Sequence, residues 1–398
     1  MRADRRGFIE RVSRWMGAVV VAGRGSAVHA DTTKSQGAPV RAYGARAAHE
    51  QAARLTVPAR YPTSTASLTP LAALDGTITP SALHFERHHA GVPQIDPATH
   101  RLLVHGLVAR PLEFTVAELR RFPVTQRECF IECSGNSNTE WAGPRGRNVQ
   151  ETHGLTSCSE WCGVRLAEVL AECGVDSAAA WVVAEGADGA AMTRSLPLAK
   201  CLDDVLLAYA QNGEALRPEQ GYPLRLLVPG WEGSINVKWL RRLKVTAEPY
   251  FTREETSKYT DLMPDGSARR FSFVMEAKSV ITAPSPGHRL VRGIQEIRGL
   301  AWSGRGRIAR VEVTVDDGAS WRTATLHEPV LPMCHTRFTL PWQWHGEGTV
   351  IAARAIDETG YVQPTREALR AVRGDRSFYH YNAIQHWRVD ASGALENV

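Results

Sequence analysis

A cysteine at the predicted end of a strand is the first feature of this sequence that could do chemistry. The apolar residues 129–131 predict a short buried strand, which the turn sequence Cys-Ser-Gly-Asn at 133–136 ends. A thiolate is a soft, electron-rich ligand, so a sulfur at the end of a buried strand is well placed to hold a metal. The seven cysteines are an odd, scattered set, and most of them fit small buried hydrophobic residues. Only its surroundings give Cys133 a distinct role.

Two cations inside apolar sequence are the second such feature. Arg225 lies in an apolar predicted strand, and Lys238 lies between two apolar residues. Buried or half-buried cations need an anion. A phosphate would supply one, and Gly230 and Gly233 would let backbone N–H groups approach it closely. Two structural salt bridges are the alternative explanation.

The segment at 85–93 is the third feature, because three basic or potentially basic side chains occupy positions 87–89 before a Gly and a Pro. The planar guanidinium of Arg87 stays charged and can bind an oxyanion through two hydrogen bonds. In isolation the segment also fits a solvated loop.

Together these motifs resemble the sulfite oxidase family of molybdenum enzymes. The shared marks are Cys-Ser-Gly-Asn, the following Gly-x-Thr-Ser turn, Trp-x-Gly-Val-x-Leu, Phe-x-Arg-x-His-x-x-x-Pro at 85–93, and Gly-Tyr-Pro-x-Arg with Val-Lys-Trp-Leu at 221–240. The spelling Glu-Cys-Ser-Gly-Asn-Ser, against Cys-Ala-Gly-Asn-Arg-Arg in animal sulfite oxidases, favours one branch. That branch is the molybdenum subunit of the periplasmic sulfane (sulfite) dehydrogenase of the bacterial Sox thiosulfate-oxidising system.

The resemblance implies a molybdenum-molybdopterin cofactor and residues to hold it. It implies that Cys133 is the protein ligand of the metal and that His89 contacts the pterin. It also implies that Arg225 and Lys238 bind the molybdopterin. Asp188, in a polar loop, is a candidate for hydrogen bonding to the pterin, although aspartate is also common in surface turns.

The resemblance also implies catalytic positions. Arg87 points to the substrate oxyanion, and Arg373, near the end of the chain, joins that site. Tyr259 matches a tyrosine near the metal and substrate, although a tyrosine in a polar loop also fits amphipathic packing. One departure is Gln220, where the family often has a histidine, so that one phosphate contact becomes neutral.

The implied reaction is molybdenum-dependent oxidation of a sulfur substrate, either sulfane sulfur on a carrier-protein cysteine or sulfite. The chain has no Cys-x-x-Cys-His haem-attachment motif, so we expect no haem in it and a separate c-type (dihaem) cytochrome subunit as electron acceptor. Ser137 and Asn138 replace the family's arginines after Cys-x-Gly-Asn, which favours a carrier-bound substrate. A free-sulfite dehydrogenase using a soluble cytochrome c, and a cofactor-free binding module on the same fold, are the alternatives.

The elements that must position these residues indicate an α+β protein with two folded domains. Residues 81–275 are predicted to form the molybdopterin-binding catalytic domain. Over 276–398, period-two strands at roughly 8- to 12-residue spacing predict an antiparallel sandwich. The family resemblance makes it an immunoglobulin-like dimerisation domain and implies a homodimer. Residues 31–80 lack sustained periodicity and are predicted to be an extended arm or linker.

The net charge of +5 does not indicate nucleic-acid binding, because residues 1–30 hold six arginines and only two acidic residues. The Asp-Arg-Arg-Gly-Phe-Ile sequence at 4–9, a short apolar stretch at 15–23 and small residues at 27–30 predict a twin-arginine-type signal. The apolar stretch is too short to span a bilayer. We therefore expect export to the periplasm, with a disordered basic tail as the alternative.

Overall fold

The structure is a computed structural model, and it describes residues 36–398 except 60, 62 and 145. The chain divides into two compact units, Met1–Glu50 and Gln51–Val398. The described part of the first unit, residues 36–50, consists of exposed bends and turns. The predicted signal at 1–30 lies outside the described residues.

The second unit is rich in strands and has few, short helices. Its α-helices are α1 (Val116–Leu119), α2 (Val149–His153), α3 (Leu166–Cys173), α4 (Leu198–Asp203) and α5 (Arg366–Arg373). Across the described part of the chain, no helix has the length and apolar character needed to cross a membrane.

The strands fall into six sheets. The first fifteen strands are β1 (Leu55–Val57), β2 (Ala66–Leu68), β3 (Glu86–Arg87), β4 (Leu102–Gly106), β5 (Leu112–Phe114), β6 (Val124–Glu132), β7 (Thr156–Arg165), β8 (Trp181–Gly186), β9 (Thr193–Pro197), β10 (Leu206–Gln211), β11 (Glu214–Ala215), β12 (Arg225–Leu227), β13 (Leu240–Thr246), β14 (Asp261–Leu262) and β15 (Ala268–Arg269). The others are β16 (Lys278–Ala283), β17 (Gly293–Trp302), β18 (Ile308–Thr314), β19 (Arg322–Thr323), β20 (Thr325–Leu326), β21 (Thr336–Trp344), β22 (Thr349–Asp357), β23 (His386–Val389) and β24 (Leu395–Asn397).

Two five-stranded sheets form most of the first half of the unit. One has the order β11-β10-β7-β6, with β12 also pairing with β10, and the other has the order β5-β4-β13-β8-β9. Strands β4 and β13 are parallel, whereas the other pairs in these sheets are antiparallel. Helices α3 and α4 pack with both sheets around one apolar core, to which Leu166, Val169 and Leu170 of α3 contribute.

The second half of the unit is a sandwich of two antiparallel sheets, β16-β17-β21-β20 and β19-β18-β22-β23-β24. Fully buried Trp302 and Phe338 of one sheet and Val313 and Trp387 of the other share its core. The predicted α+β class and the predicted sandwich are thus confirmed. The period-two pattern is clearest in β21, where buried residues alternate with more exposed ones, whereas all six residues of β16 are buried.

The predicted arm at 31–80 is wrong for its second half. Residues 51–80 belong to the second unit, where β1 pairs with β2 and β2 pairs with β3. Ala66 stands opposite Arg87 in that sheet, and Thr65 O accepts a hydrogen bond of 3.0 Å from His88 N. Two three-residue strands carry too little periodicity to be recognised in sequence, since tertiary pairing is what makes them strands.

Strand β6 brings its last residues between the two halves of the unit. Phe130 is 1% exposed and joins the core of the sandwich, whereas Ile131 faces a separate cluster with Trp161 and Leu227. Burying a side chain of this size contributes about 2 kcal/mol. The strand ends at Glu132, as the sequence predicted, so Cys133 begins the turn that follows β6.

Candidate active site

A pocket of about 650 Å³, counted with its open mouth, gathers most of the predicted residues. This volume lies in the range of small-molecule and cofactor sites. Seven of the eight predicted site residues line it: Arg87, His89, Cys133, Asp188, Arg225, Lys238 and Tyr259. They come from positions up to 172 residues apart in sequence, so the fold alone brings them together.

The turn after β6 holds Cys133 at the wall of the pocket. Its backbone N–H donates to Leu155 O at 3.0 Å, and its carbonyl accepts from Asn136 N at 2.8 Å. Burial raises the pKa of the Cys133 thiol, opposed by a hydrogen bond from the Gly135 backbone and by the charge of Arg87. A metal ion at the sulfur would supply the positive charge that favours the thiolate.

The two glycines permit close packing within the fold, and Gly233 lines the pocket whereas Gly230 does not. A Cβ on Gly233 would lie 3.2 Å from Cys133 Cα, so glycine there lets the 233 segment pack against the cysteine turn. A Cβ on Gly230, which has φ +74°, would lie 2.4 Å from Gly304 O. Gly230 therefore serves contact with the 304 segment instead of the approach of backbone to a phosphate.

Arg225 is buried and forms no salt bridge with any residue that the structure describes. At 2% exposure, its Nη1 donates to Gln220 O at 3.0 Å and its Nη2 donates to Asn236 O at 3.1 Å. Its Nε is buried with no hydrogen-bond partner. Burial lowers the pKa of Arg225 to about 9. The side-chain amide of Gln220 donates to Phe85 O at 2.9 Å, which holds Gln220 in place beside this guanidinium.

Lys238, like Arg225, forms no salt bridge with a described residue. Its Nζ donates to Arg87 O at 3.2 Å and Glu219 O at 3.0 Å, and it forms a 2.9 Å hydrogen bond with His88 Nδ1. Burial, reinforced by the charge of Arg225, lowers the pKa of Lys238 to about 7. Within the described ranges neither cation forms a salt bridge, so salt bridges do not explain this pair. A bound anion would restore both pKa values.

Arg87, His89 and Tyr259 form another side of the pocket. His89 Nε2 lies 2.9 Å from the Tyr259 hydroxyl, and Arg87 donates to the backbone carbonyl of His88. Burial, followed by the charge of Arg87, lowers the pKa of His89 to about 4, so this imidazole is neutral at pH 7. Burial raises the pKa of Tyr259. The half-buried guanidinium of Arg87 is thus the permanent charge of this group.

Sequence reasoning missed a network of charges beside the pocket. Arg194, which is 0% exposed, donates from Nη2 to Glu232 Oε1 at 2.7 Å, and its Nε lies 3.5 Å from Glu255 Oε1. Its guanidinium carbon lies 5.2 Å from the Tyr259 ring centroid. Burial alone would raise the pKa of Glu232, but Arg194 and then His380 hold it at about 2. A cation inside the strand 193–197 was the available signal.

Asp188 and Arg373 qualify the prediction in different ways. Asp188 lines the pocket, but its Oδ1 also accepts a hydrogen bond from Met192 N at 3.1 Å. The side chain therefore also stabilises the loop between residues 188 and 192. Arg373 is not among the residues that line the pocket. Only 3% exposed, it lies 3.3 Å from Asp261 and 3.6 Å from Glu276. Its charge is paired within the fold, and its expected place in the oxyanion site stays a prediction.

Comparison with protein families matches both halves of the second unit. Residues 89–253 match the family described as "Oxidoreductase molybdopterin binding domain", and residues 269–387 match "Mo-co oxidoreductase dimerisation domain". The fold and the pocket thus define an oxidoreductase with a molybdopterin-binding domain. The observed donors fit such a group, because a soft sulfur and two cations without counter-ions face one pocket.

Relatives of known name narrow this class. Mitochondrial sulfite oxidase of Mus musculus is 34% identical over 73% of this chain, and sulfite oxidase of Gallus gallus is 32% identical over 72% of this chain and 68% of its own length. The NADH nitrate reductase of Hordeum vulgare is 35% identical over 75% of this chain. The chain spans 58% of the length of the mouse enzyme and 37% of the length of the barley enzyme. The chain belongs to the sulfite oxidase family of molybdenum enzymes.

A solved structure is similar over almost the whole chain. The crystal structure of the sulfane dehydrogenase SoxCD from Paracoccus pantotrophus aligns with a TM-score of 0.89 and 48% sequence identity. The alignment covers 92% of this chain and 96% of that one. The likeness thus includes both the pocket half and the sandwich half of the second unit.

Proposed function

We propose that this chain oxidises a sulfur substrate and passes the electrons to a c-type cytochrome partner, as part of thiosulfate or sulfur oxidation. The observation that carries the proposal is the convergence of Cys133, Arg225 and Lys238 on one pocket. A soft thiol and two unpaired buried cations form the donor set that a molybdopterin requires, and few other groups combine a soft metal with a phosphate.

The pocket residues divide between the two ends of such a cofactor. Cys133 is the protein ligand for molybdenum, and Arg225 and Lys238 neutralise the phosphate. His89 and Asp188 also line the pocket and would offer hydrogen bonds to the pterin. When bound, the cofactor would supply a metal that accepts two electrons as an oxygen atom is transferred to the sulfur of the substrate.

The anionic sulfur substrate binds at Arg87 in this proposal. Its guanidinium is half-buried and, among the described residues, forms no salt bridge, so it is free to pair with an anion entering the pocket. The Tyr259 hydroxyl, held by His89, stands next to it as a hydrogen-bond donor. Preorganised donors of this kind stabilise charge without reorganising during the reaction.

We further propose that the substrate is a sulfane sulfur on a carrier-protein cysteine. The 48% identity to a sulfane dehydrogenase supports this choice. The residues after Cys-Ser-Gly-Asn support it too, because the family's arginines are replaced by Ser137 and Asn138. Free sulfite, the substrate named by the animal relatives, is the competing candidate.

A comparison of substrates tests the reaction. Purified holoprotein is given cytochrome c with free sulfite, with a persulfidated carrier protein, or with the same carrier in its thiol form. We expect rapid cytochrome reduction with the persulfide only. Robust turnover of sulfite alone would overturn the preferred substrate, and nitrate reduction with a reduced dye would move the chain to the other reaction found among its relatives.

Cys133→Ser tests the site, with Cys162→Ser as the matched control, since Cys162 is also half-buried but does not line the pocket. We expect Cys133→Ser to abolish turnover while the protein stays folded and dimeric, because a hydroxyl is a poor ligand for this metal. Cys162→Ser should retain activity. Turnover by Cys133→Ser would refute the ligand assignment, and less than about 0.1 molybdenum per wild-type chain would favour a cofactor-free binding module.

Two further properties belong to the proposal. The match at 269–387 to a dimerisation domain supports a homodimer, which light scattering of the purified protein tests. A periplasmic location rests on the export signal predicted at 1–30. Fractionation of cells with and without the Arg5→Lys, Arg6→Lys change tests it, and export of the changed protein would contradict a twin-arginine route.

A further inference from the structure

A buried carboxylate stands directly before the pocket cysteine. Glu132 is 0% exposed and receives three hydrogen bonds. Lys278 Nζ donates to Oε1 at 3.0 Å, Asn136 Nδ2 donates to Oε1 at 2.9 Å, and Trp302 Nε1 donates to Oε2 at 2.7 Å. A carboxylate removed from water needs such a complete set of donors.

Two of these donors come from the sandwich. Lys278 begins β16, Trp302 ends β17, and the two residues are cross-strand partners. They are 1% and 0% exposed respectively. A contact between two rigid strand ends and the residue before Cys133 constrains the backbone from which the thiol projects.

The third donor extends the contact through the turn itself. Asn136 binds Glu132 with its amide nitrogen, and its Oδ1 accepts from Leu155 N at 3.1 Å. The sandwich half also contacts the turn elsewhere, since His380 N donates to Ser134 O at 2.7 Å. Every residue from Glu132 to Asn136 is therefore hydrogen-bonded either to nearby residues of the turn or to the sandwich half, since Gly135 O also accepts from Asn138 N at 3.1 Å.

We propose that Lys278 and Trp302, acting through Glu132, are positioning residues that set the direction of the Cys133 thiol. The sandwich then does more than assemble the protein, because it helps to build the pocket of the other half. The inference rests on the proposed role of Cys133 as a metal ligand. Outer partners of a metal ligand matter for this reason, and their loss commonly costs 10–100-fold in metal affinity or activity.

A pair of tryptophans gives a matched test. Trp302→Phe removes the donor to Glu132, whereas Trp387→Phe removes an equally buried indole whose Nε1 donates to Ile281 O at 3.0 Å inside the sandwich. Both changes remove one hydrogen bond of similar burial. Only the first should alter the surroundings of the thiol.

Three readouts separate positioning from stability in holoprotein and cofactor-free protein. We expect Trp302→Phe to shift the sulfur-to-metal absorption band and the electron paramagnetic resonance signal. We also expect a kcat about 10-fold lower with an unchanged KM. In cofactor-free protein, iodoacetamide should alkylate Cys133 at least about threefold faster. Trp387→Phe should lower Tm alone.

Equal spectra and equal alkylation rates for the two variants would overturn the inference. Should Trp302→Phe not yield folded protein, Glu132→Gln with Lys278→Gln carries the same test, because removing both charges leaves no unpaired buried ion. Wild-type spectra in that double variant would also overturn it. Failure of the metal assignment is recognised separately, since Cys133→Ser would then leave the metal spectrum of the protein unchanged.

Discussion

Two buried arginines, 31 residues apart in sequence, differ in what neutralises them. Arg194 has Glu232 and Glu255 within 3.5 Å and is 0% exposed. Arg225, at 2% exposure, has two backbone carbonyls, a weak contact to the Gln220 side chain at 3.4 Å and the Trp161 ring centroid 4.8 Å from its guanidinium carbon, but no carboxylate of the described residues within salt-bridge distance. Both stand in short strands, Arg194 in the five-residue Thr193–Pro197 and Arg225 in the three-residue Arg225–Leu227.

The charge of Arg194 is thus neutralised by carboxylates of the protein, whereas the charge of Arg225 is left for a ligand to neutralise. Burial of an ion is costly, and Arg194 recovers that cost within the fold. Arg225 does not, and neither does Lys238, which is why burial lowers the pKa values of both. A buried cation therefore points to a ligand only after its counter-ions have been counted in three dimensions.

The largest expected effect is on the paired arginine. Arg194→Met leaves Glu232 and Glu255 buried without their cation, so we expect the free energy of unfolding of cofactor-free protein to fall by about 3–5 kcal/mol. Urea denaturation measures it. Arg110→Met is the control, because Arg110 and Glu172 form an exposed pair whose loss should cost below about 1 kcal/mol. A similar loss of unfolding free energy in the two variants would show that the buried ion pairs of Arg194 contribute no more to stability than an exposed pair.

The unpaired arginine should behave in the opposite way. Arg225→Met is expected to weaken retention of the molybdenum cofactor by roughly 10- to 100-fold, since charged hydrogen bonds contribute about 1.5–3 kcal/mol. Its effect on the unfolding of cofactor-free protein should be smaller than that of Arg194→Met. Metal analysis after dialysis, together with urea denaturation, measures both. A variant that keeps its molybdenum but unfolds readily would make Arg225 structural.

The smallest effect is a pH dependence of anion binding at Lys238. The pKa of Lys238 is lowered from 10.5 to about 7 in the anion-free pocket, so above pH 7 an anion must bind together with a proton. We therefore expect the affinity of cofactor-free protein for sulfate, whose charge is constant, to fall by up to about tenfold per pH unit as pH rises from about 7 to about 9. Calorimetry measures it.

Matched lysine variants check that slope. Lys238→Met should remove the pH dependence, whereas Lys200→Met should preserve it. Lys200 does not line the pocket, and its Nζ lies 2.6 Å from Asp204 Oδ1. The same pKa shift has a consequence without any anion. The unfolded chain binds the extra proton between pH 7 and 10.5, so this group makes cofactor-free protein more stable as pH rises through that range. A flat sulfate affinity in the wild type would contradict the depressed pKa.

Much of the architecture could be predicted from local patterns. The alternation of Val311 and Val313 in β18 indicated one face of a sandwich, and the apolar run into the Cys-Ser-Gly-Asn turn indicated the end of β6. These signals work because a strand with one buried face repeats every two residues. The short strands β1 and β2 gave no such signal, since three residues cannot establish a period.

The site was predicted where motifs were contiguous and missed where charges met from distant segments. Arg373 was expected in the oxyanion site by resemblance, and its ion pairs with Asp261 and Glu276, from other segments, were not foreseen. Arg194 was overlooked for the same reason, because its partners are 38 and 61 residues away in sequence.

By itself the sequence determined which residue types were available: a thiol at a strand end, cations within apolar strands, and the family to which those motifs belong. Only the tertiary structure decided which cations lack a counter-ion and which segments hold the cysteine turn. The physical reason is that secondary structure follows short-range periodicity, whereas electrostatic compensation depends on distances between residues far apart in the chain.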